Sequence, residues 1–108
     1  MADQTQFGQL KRDDSNFPIG WKYATMTATG ATIVKATPGV LHQITFNKPI
    51  ATSVVTLYDS SSASTGTLGT ITIPASPQPV TLFYDNAFNN GLVINMSVAA
   101  SDITITYI

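Results

Sequence analysis

The chain has 108 residues, enough for one domain, and only 10% of them are charged, against about a quarter in a typical soluble domain. It contains no cysteine, which excludes a disulfide framework and thiolate chemistry, and its net charge of -1 with five basic residues argues against nucleic-acid binding. No apolar run is long enough to span a membrane and no signal-peptide pattern opens the chain, so we expect synthesis in the cytoplasm and no membrane partner.

The first twenty residues show neither a period of two nor a helical stripe, and they predict an extended N-terminal arm, residues 1–20, outside the folded body. Apolar side chains without a periodic partner occur in the arm and directly after it: Phe7, Leu10, Phe17, Ile19 and Trp21. We expect these residues to bind a partner, and each that docks would contribute about 1.5–3 kcal/mol. Docking on a neighbouring subunit and docking on the chain's own body both stay open.

Residues 21–108 predict an all-β fold, because short segments rich in Thr, Ile, Val and aromatic residues alternate with polar turns. This pattern is typical of a single antiparallel β-sandwich of the jelly-roll or Greek-key kind with about eight strands. The predicted strands cover residues 21–28, 31–36, 39–47, 52–59, 66–73, 79–85, 91–98 and 102–108.

Turn residues predict how the strands are connected. The Ser-rich stretch 59–66 is expected to join two antiparallel strands, and the Pro-rich stretch 74–79 to cross between sheets. Asn90-Gly91 predicts a tight hairpin. In the following strand, alternation places Leu92, Ile94, Met96 and Val98 on the core face.

Few residues are suited to catalysis, since the chain has one histidine, no cysteine and no glutamate. Alternation places His42 on the face of Val40, Ile44 and Phe46, which predicts a core or interface histidine rather than a general base. The aspartates at 59, 85 and 102 each flank a predicted strand and are expected to stabilise turns. We therefore predict no enzyme activity, no catalytic residue, no cofactor and no metal site; a calcium site at Asp85 lacks the usual ligand spacing.

Sugar binding is the main chemical alternative, because loops that carry aromatic and amide side chains can form stacking platforms with polar rims. Trp21 and Tyr58 would supply further aromatic rings. The candidate residues for loop recognition are Tyr84, Asp85, Asn86, Asn89 and Asn90.

Four landmarks lie between residues 29 and 108: the runs Gly39-Val40-Leu41, Leu57-Tyr58-Asp59 and Asn90-Gly91-Leu92, and the closing segment Ile103-Thr104-Ile105-Thr106-Tyr107. Together they resemble the landmarks of small virion proteins of tailed bacteriophages. The resemblance implies a non-enzymatic structural protein of the capsid surface, a decoration or cement protein that forms a dimer or trimer. Its partners would be the major capsid protein or another virion protein, with the arm adding contacts. The alternative that the resemblance leaves open is a head-fibre or tail-fibre module that binds a glycan or receptor on the host surface.

Overall fold

The structure is a computed structural model that describes residues 11–12 and 18–108, with side chains from Gly20 onward. Phe7, Leu10 and Phe17 lie outside the described residues, and of Ile19 only the backbone is described. The strands are β1 (Lys11–Arg12), β2 (Pro18–Ile19), β3 (Lys22–Met26), β4 (Gly30–Lys35), β5 (Gly39–Lys48), β6 (Val54–Tyr58), β7 (Thr67–Thr72), β8 (Val80–Phe88), β9 (Leu92–Ser97) and β10 (Asp102–Tyr107).

Eight of these strands form two four-stranded antiparallel sheets, in the orders β3-β10-β5-β8 and β4-β9-β6-β7, while β1 and β2 pair only with each other. The first of the eight pairs with the last, the second with the seventh, and so on inward to the β6–β7 hairpin. The fold is therefore one long antiparallel ribbon wound into a sandwich, which is a jelly roll. The prediction of an all-β jelly-roll sandwich of about eight strands is confirmed.

The predicted connections are partly right. Residues 59–66 join the paired strands β6 and β7, and residues 74–79 carry the chain from one sheet to the other, as expected. The hairpin predicted at Asn90-Gly91 is wrong, because β8 and β9 belong to different sheets and neither residue has a positive φ. Asn90-Gly91 lies in the connection that crosses from one sheet to the other. The dipeptide alone does not show whether it forms a hairpin turn or part of such a crossover.

The core lies between the two sheets and is formed by the inward residues of each strand. Its fully buried side chains include Leu41, Ile44, Phe46, Val55, Leu57, Phe88, Leu92, Ile94, Met96, Ile103 and Ile105. Val98 does not join its predicted neighbours. It is 73% exposed at φ 72°, since the strand ends at Ser97 and the chain turns there.

Buried polar groups are paired where loops close the end of the sandwich opposite the β6–β7 turn. The Ser53 hydroxyl donates to the carbonyl of Ala99 at 2.7 Å, and the Ser101 hydroxyl accepts the Ile50 N–H at 2.9 Å. Both serines are at most 1% exposed, so an unpaired hydroxyl there would be costly. These two bonds tie the β5–β6 connection to the β9–β10 connection.

At the end of the sandwich that carries the β6–β7 turn, backbone atoms of other segments surround Gly91. A Cβ at this position would lie 2.6 Å from the carbonyl oxygens of Lys35 and Ser60 and 2.9 Å from Ser61 Cα. A side chain therefore cannot be added unless main chain moves.

We predict that Gly91→Ala lowers the free energy of unfolding by about 1–3 kcal/mol, the usual cost of overpacking. Gly20→Ala is the matched control, because nothing lies within 4 Å of a Cβ there. Urea unfolding followed by circular dichroism measures both variants. Equal midpoints for Gly91→Ala and Gly20→Ala would show that the loops around Gly91 move freely.

Candidate binding surface on the outer face of one sheet

The outer face of the β3-β10-β5-β8 sheet presents two rows of side chains that run across all four strands. Cross-strand partners share a face, so the register places Tyr23, Thr106, Gln43 and Phe83 in one row. The next row consists of threonines only: Thr25, Thr104, Thr45 and Thr81. Neither row contains a charged residue.

Aromatic rings mark both edges of the first row. Tyr23 on the edge strand β3 is 73% exposed, and Phe83 on the edge strand β8 is 67% exposed. Trp21, directly before β3, is 40% exposed. Three large aromatic side chains therefore stay in contact with solvent on one face.

His42 joins this outer face because the strand pairing is irregular around it. Gln43 pairs with Thr106 and Leu41 with Tyr107, so His42 is an extra residue relative to β10. Opposite β8, Tyr84 and Asp85 occupy the interval that His42 alone fills on β5. These bulges turn Leu41 inward and His42 outward, and the prediction that His42 shares the core face with Ile44 and Phe46 is wrong.

The bulges gather four side chains into a cluster, which we call the aromatic cluster: Trp21, His42, Phe83 and Asp85. The Trp21 and His42 rings are stacked, with centroids 4.5 Å apart and planes 9° from parallel. Phe83 meets His42 edge to face at 5.8 Å. The Nδ1 atom of His42 is hydrogen-bonded to Oδ1 of Asp85, whose side chain is 59% exposed.

Asp85 adopts φ 51°, in the left-handed region that residues other than glycine seldom occupy. Asp and Asn tolerate this conformation better than most, so an aspartate suits the position. The backbone here is bent in a way that directs the carboxylate to the outer face beside His42.

The other residues predicted for loop recognition are placed differently. Asp85 and Asn86 lie within β8, since that strand runs on to Phe88. Tyr84 faces the interior, where it packs against the core and burial raises the pKa of its hydroxyl. Asn89 and Asn90 follow the strand and use their backbone N–H groups in a loop contact.

That contact is a clamp made by Asp59. Its carboxylate accepts the N–H groups of Asn89 at 2.9 Å and Asn90 at 2.8 Å, and that of Gly91 at 3.4 Å. The bonds from Asn89, then Asn90, hold the pKa of Asp59 below its usual value, with Gly91 adding to the effect and burial opposing it. The turn-stabilising role predicted for Asp59 is thus present, although its partners lie thirty residues away in sequence.

Among the described side chains, the outer face of the other sheet differs from this one in carrying no exposed aromatic cluster. Its register gives the rows Ile33-Val93-Tyr58-Thr67, Ala31-Asn95-Thr56-Thr70 and Ser97-Val54-Thr72. We call these three rows the uncharged face, because none of their members is an Asp, Glu, Lys, Arg or His. Ile33 is 52% exposed and Val93 is buried.

The residues that the structure describes contain neither a cluster of metal ligands nor a membrane-spanning helix. No group of three or more His, Cys, Asp or Glu side chains there could hold a metal ion. No helix long and apolar enough to cross a membrane occurs in the same residues. Comparison of the chain with protein-family models, with curated protein sequences and with solved structures gives no match.

Asp59→Asn is expected to lower the melting temperature at pH 7 and to weaken the acid dependence of stability. A carboxyl group with a depressed folded pKa stabilises the protein above its unfolded pKa of about 3.9, and this contribution is lost as pH falls through the folded value. Thermal unfolding of both proteins from neutral pH downward measures the difference, which should be largest at pH 7 and shrink below about pH 4. A difference that stays constant with pH would contradict the clamp.

Proposed function

We propose that this chain is a non-enzymatic structural subunit of a bacteriophage virion, a capsid decoration or cement protein on the capsid surface. It assembles as a dimer or trimer and bridges neighbouring capsid proteins. The virion setting is supported by the resemblance of its strand and turn landmarks to phage virion proteins. The observation that supports the assembly role is the uncharged face of the β4-β9-β6-β7 sheet.

An uncharged face is suited to contact with a second copy of itself. In a two-fold symmetric interface the same patch meets itself, so every charge near the axis would approach an identical charge. Like charges juxtaposed in this way cost several kcal/mol. The three rows avoid that cost, and their Thr, Asn and Ser side chains can hydrogen-bond across the interface.

The size of this face indicates that it is not the whole interface. Four strands spaced about 4.8 Å apart, with about six residues each at 3.3 Å, cover about 400 Å² in projection. A stable interface buries about 800 Å² on each partner. Assembly therefore needs a second contact, and the apolar residues of the N-terminal arm would supply it.

Two lysines on the uncharged face should dissociate the oligomer. Ala31 and Thr70 are exposed and stand at the two ends of one row, so Ala31→Lys/Thr70→Lys places four added positive charges in a dimer contact. Light scattering coupled to size exclusion should show a smaller mass at micromolar concentration. Ser62→Lys/Ser64→Lys, in the exposed loop after β6, adds the same charge elsewhere and should leave the oligomer intact. A wild-type monomer would contradict the assembly role.

The arm is expected to contribute to occupancy on particles. Phage particles decorated with the full chain or with residues 21–108 can be compared by quantitative mass spectrometry after purification. We predict lower occupancy for the truncated chain, because the contacts of Phe7, Leu10 and Phe17 are lost. Equal occupancy would remove the arm from the interface, and an absence of the full chain from purified particles would overturn the virion role.

A further inference from the structure

We propose that the aromatic cluster is a binding site for a neutral oligosaccharide. The site lies on the sheet opposite the uncharged face, so it is separate from the surface assigned to assembly. The site has three features. The ring of Trp21 is exposed for stacking, its position is fixed by neighbouring side chains, and polar groups lie beside it.

Trp21 supplies the stacking ring. One side of its indole lies flat on the imidazole of His42 at a centroid distance of 4.5 Å, and 40% of the residue remains exposed. The uncovered side offers a flat apolar surface of the kind that the C–H face of a pyranose ring packs against.

The arrangement is fixed before any ligand arrives. His42 contacts Trp21 on its face, Phe83 at its edge and Asp85 through Nδ1, so its ring cannot rotate without breaking all three contacts. A side chain that is already ordered loses less conformational entropy on binding. The left-handed backbone at Asp85 costs free energy, and such strain is concentrated at binding and active sites.

Hydrogen-bonding groups lie beside the Trp21 ring. A carboxylate can only accept, so Nδ1 of His42 donates to Asp85, and Nε2 is the ring nitrogen left to hydrogen-bond a sugar hydroxyl. The second carboxylate oxygen of Asp85, on a side chain that is 59% exposed, is a further acceptor. Gln43, the neighbour of Phe83 across the strands, carries both a donor and acceptors.

The chemistry favours a neutral chain of several sugars. Tyr23 and Phe83 stand on the two edge strands, about 14 Å apart across three strand spacings, which is a wider span than one pyranose covers. Asp85 is the charged member of the cluster, and its negative charge would repel an acidic sugar. A uronate oligomer should therefore bind more weakly than the corresponding neutral one.

The single tryptophan of the chain makes the site directly observable, because all indole fluorescence comes from Trp21. The full chain is titrated with soluble oligomers of glucose, galactose, mannose and N-acetylglucosamine, and with oligogalacturonate of the same length as the galactose oligomer. We expect a saturable change in emission with at least one neutral oligomer, and binding of the uronate at least about tenfold weaker than that of its neutral counterpart. If none of the neutral oligomers changes the emission of Trp21, the proposal is overturned.

Variants separate a binding role from a packing role. Isothermal titration should show about tenfold or greater loss of affinity for Trp21→Ala and partial recovery for Trp21→Phe. Asp85→Asn keeps a residue that tolerates positive φ. It should reduce the difference in affinity between the neutral oligomer and the uronate oligomer. Ile33→Ala, on the uncharged face, is the matched control and should bind as the wild type does. Unchanged affinity in Trp21→Ala would overturn the site even if a sugar binds elsewhere.

Two further readouts distinguish this proposal from the assembly role. Ala31→Lys/Thr70→Lys, which should dissociate the oligomer, should still bind the oligosaccharide with wild-type affinity. Emission of Trp21 that shifts with protein concentration alone would assign the aromatic cluster to contact between copies of the chain, and that result would also overturn the site.

Discussion

The alternation of side chains along each strand determines which residues of this sandwich are buried and which face outward. A strand places successive side chains on opposite faces, so the pairing register decides the face of every residue. In β9 and β10 the alternation is unbroken on the core side, and Ile94, Met96, Ile103 and Ile105 are buried. In β5 it is broken at His42, and the aromatic cluster depends on that interruption.

The fold could be predicted from the sequence because its signals are local. Eight alternating segments and their turn residues give the strand positions to within a few residues, and a Pro-rich stretch signals the crossover at residues 74–79. Asn90-Gly91 failed as a hairpin signal because a turn and a crossover can use the same dipeptide. Only the identity of the paired strands distinguishes them, and that information is not local.

The site was less predictable for the same reason. The sequence indicates Trp21 and Asp85 as candidates for sugar binding, but nothing in it connects them with His42 or Phe83. A bulge leaves only a weak signal in its own strand, because it is a mismatch between two or three strands that are distant in sequence. One feature would have helped: the alternation of β5 yields both Leu41 and Ile44 as core residues only if an extra residue lies between them.

The turn of the ribbon, residues 59–66, has a consequence for engineering. Asp59 and Gly66 are joined by a backbone hydrogen bond of 2.7 Å, while residues 61–66 between the two paired strands are exposed. The Ser60 hydroxyl accepts the N–H groups of Ser62 and Ala63, which organises the first half of the turn. Closing a longer loop costs little additional entropy, about 0.6 kcal/mol for each doubling. Foreign peptides inserted between Ser64 and Thr65 would therefore be displayed at one end of the sandwich with little effect on its stability.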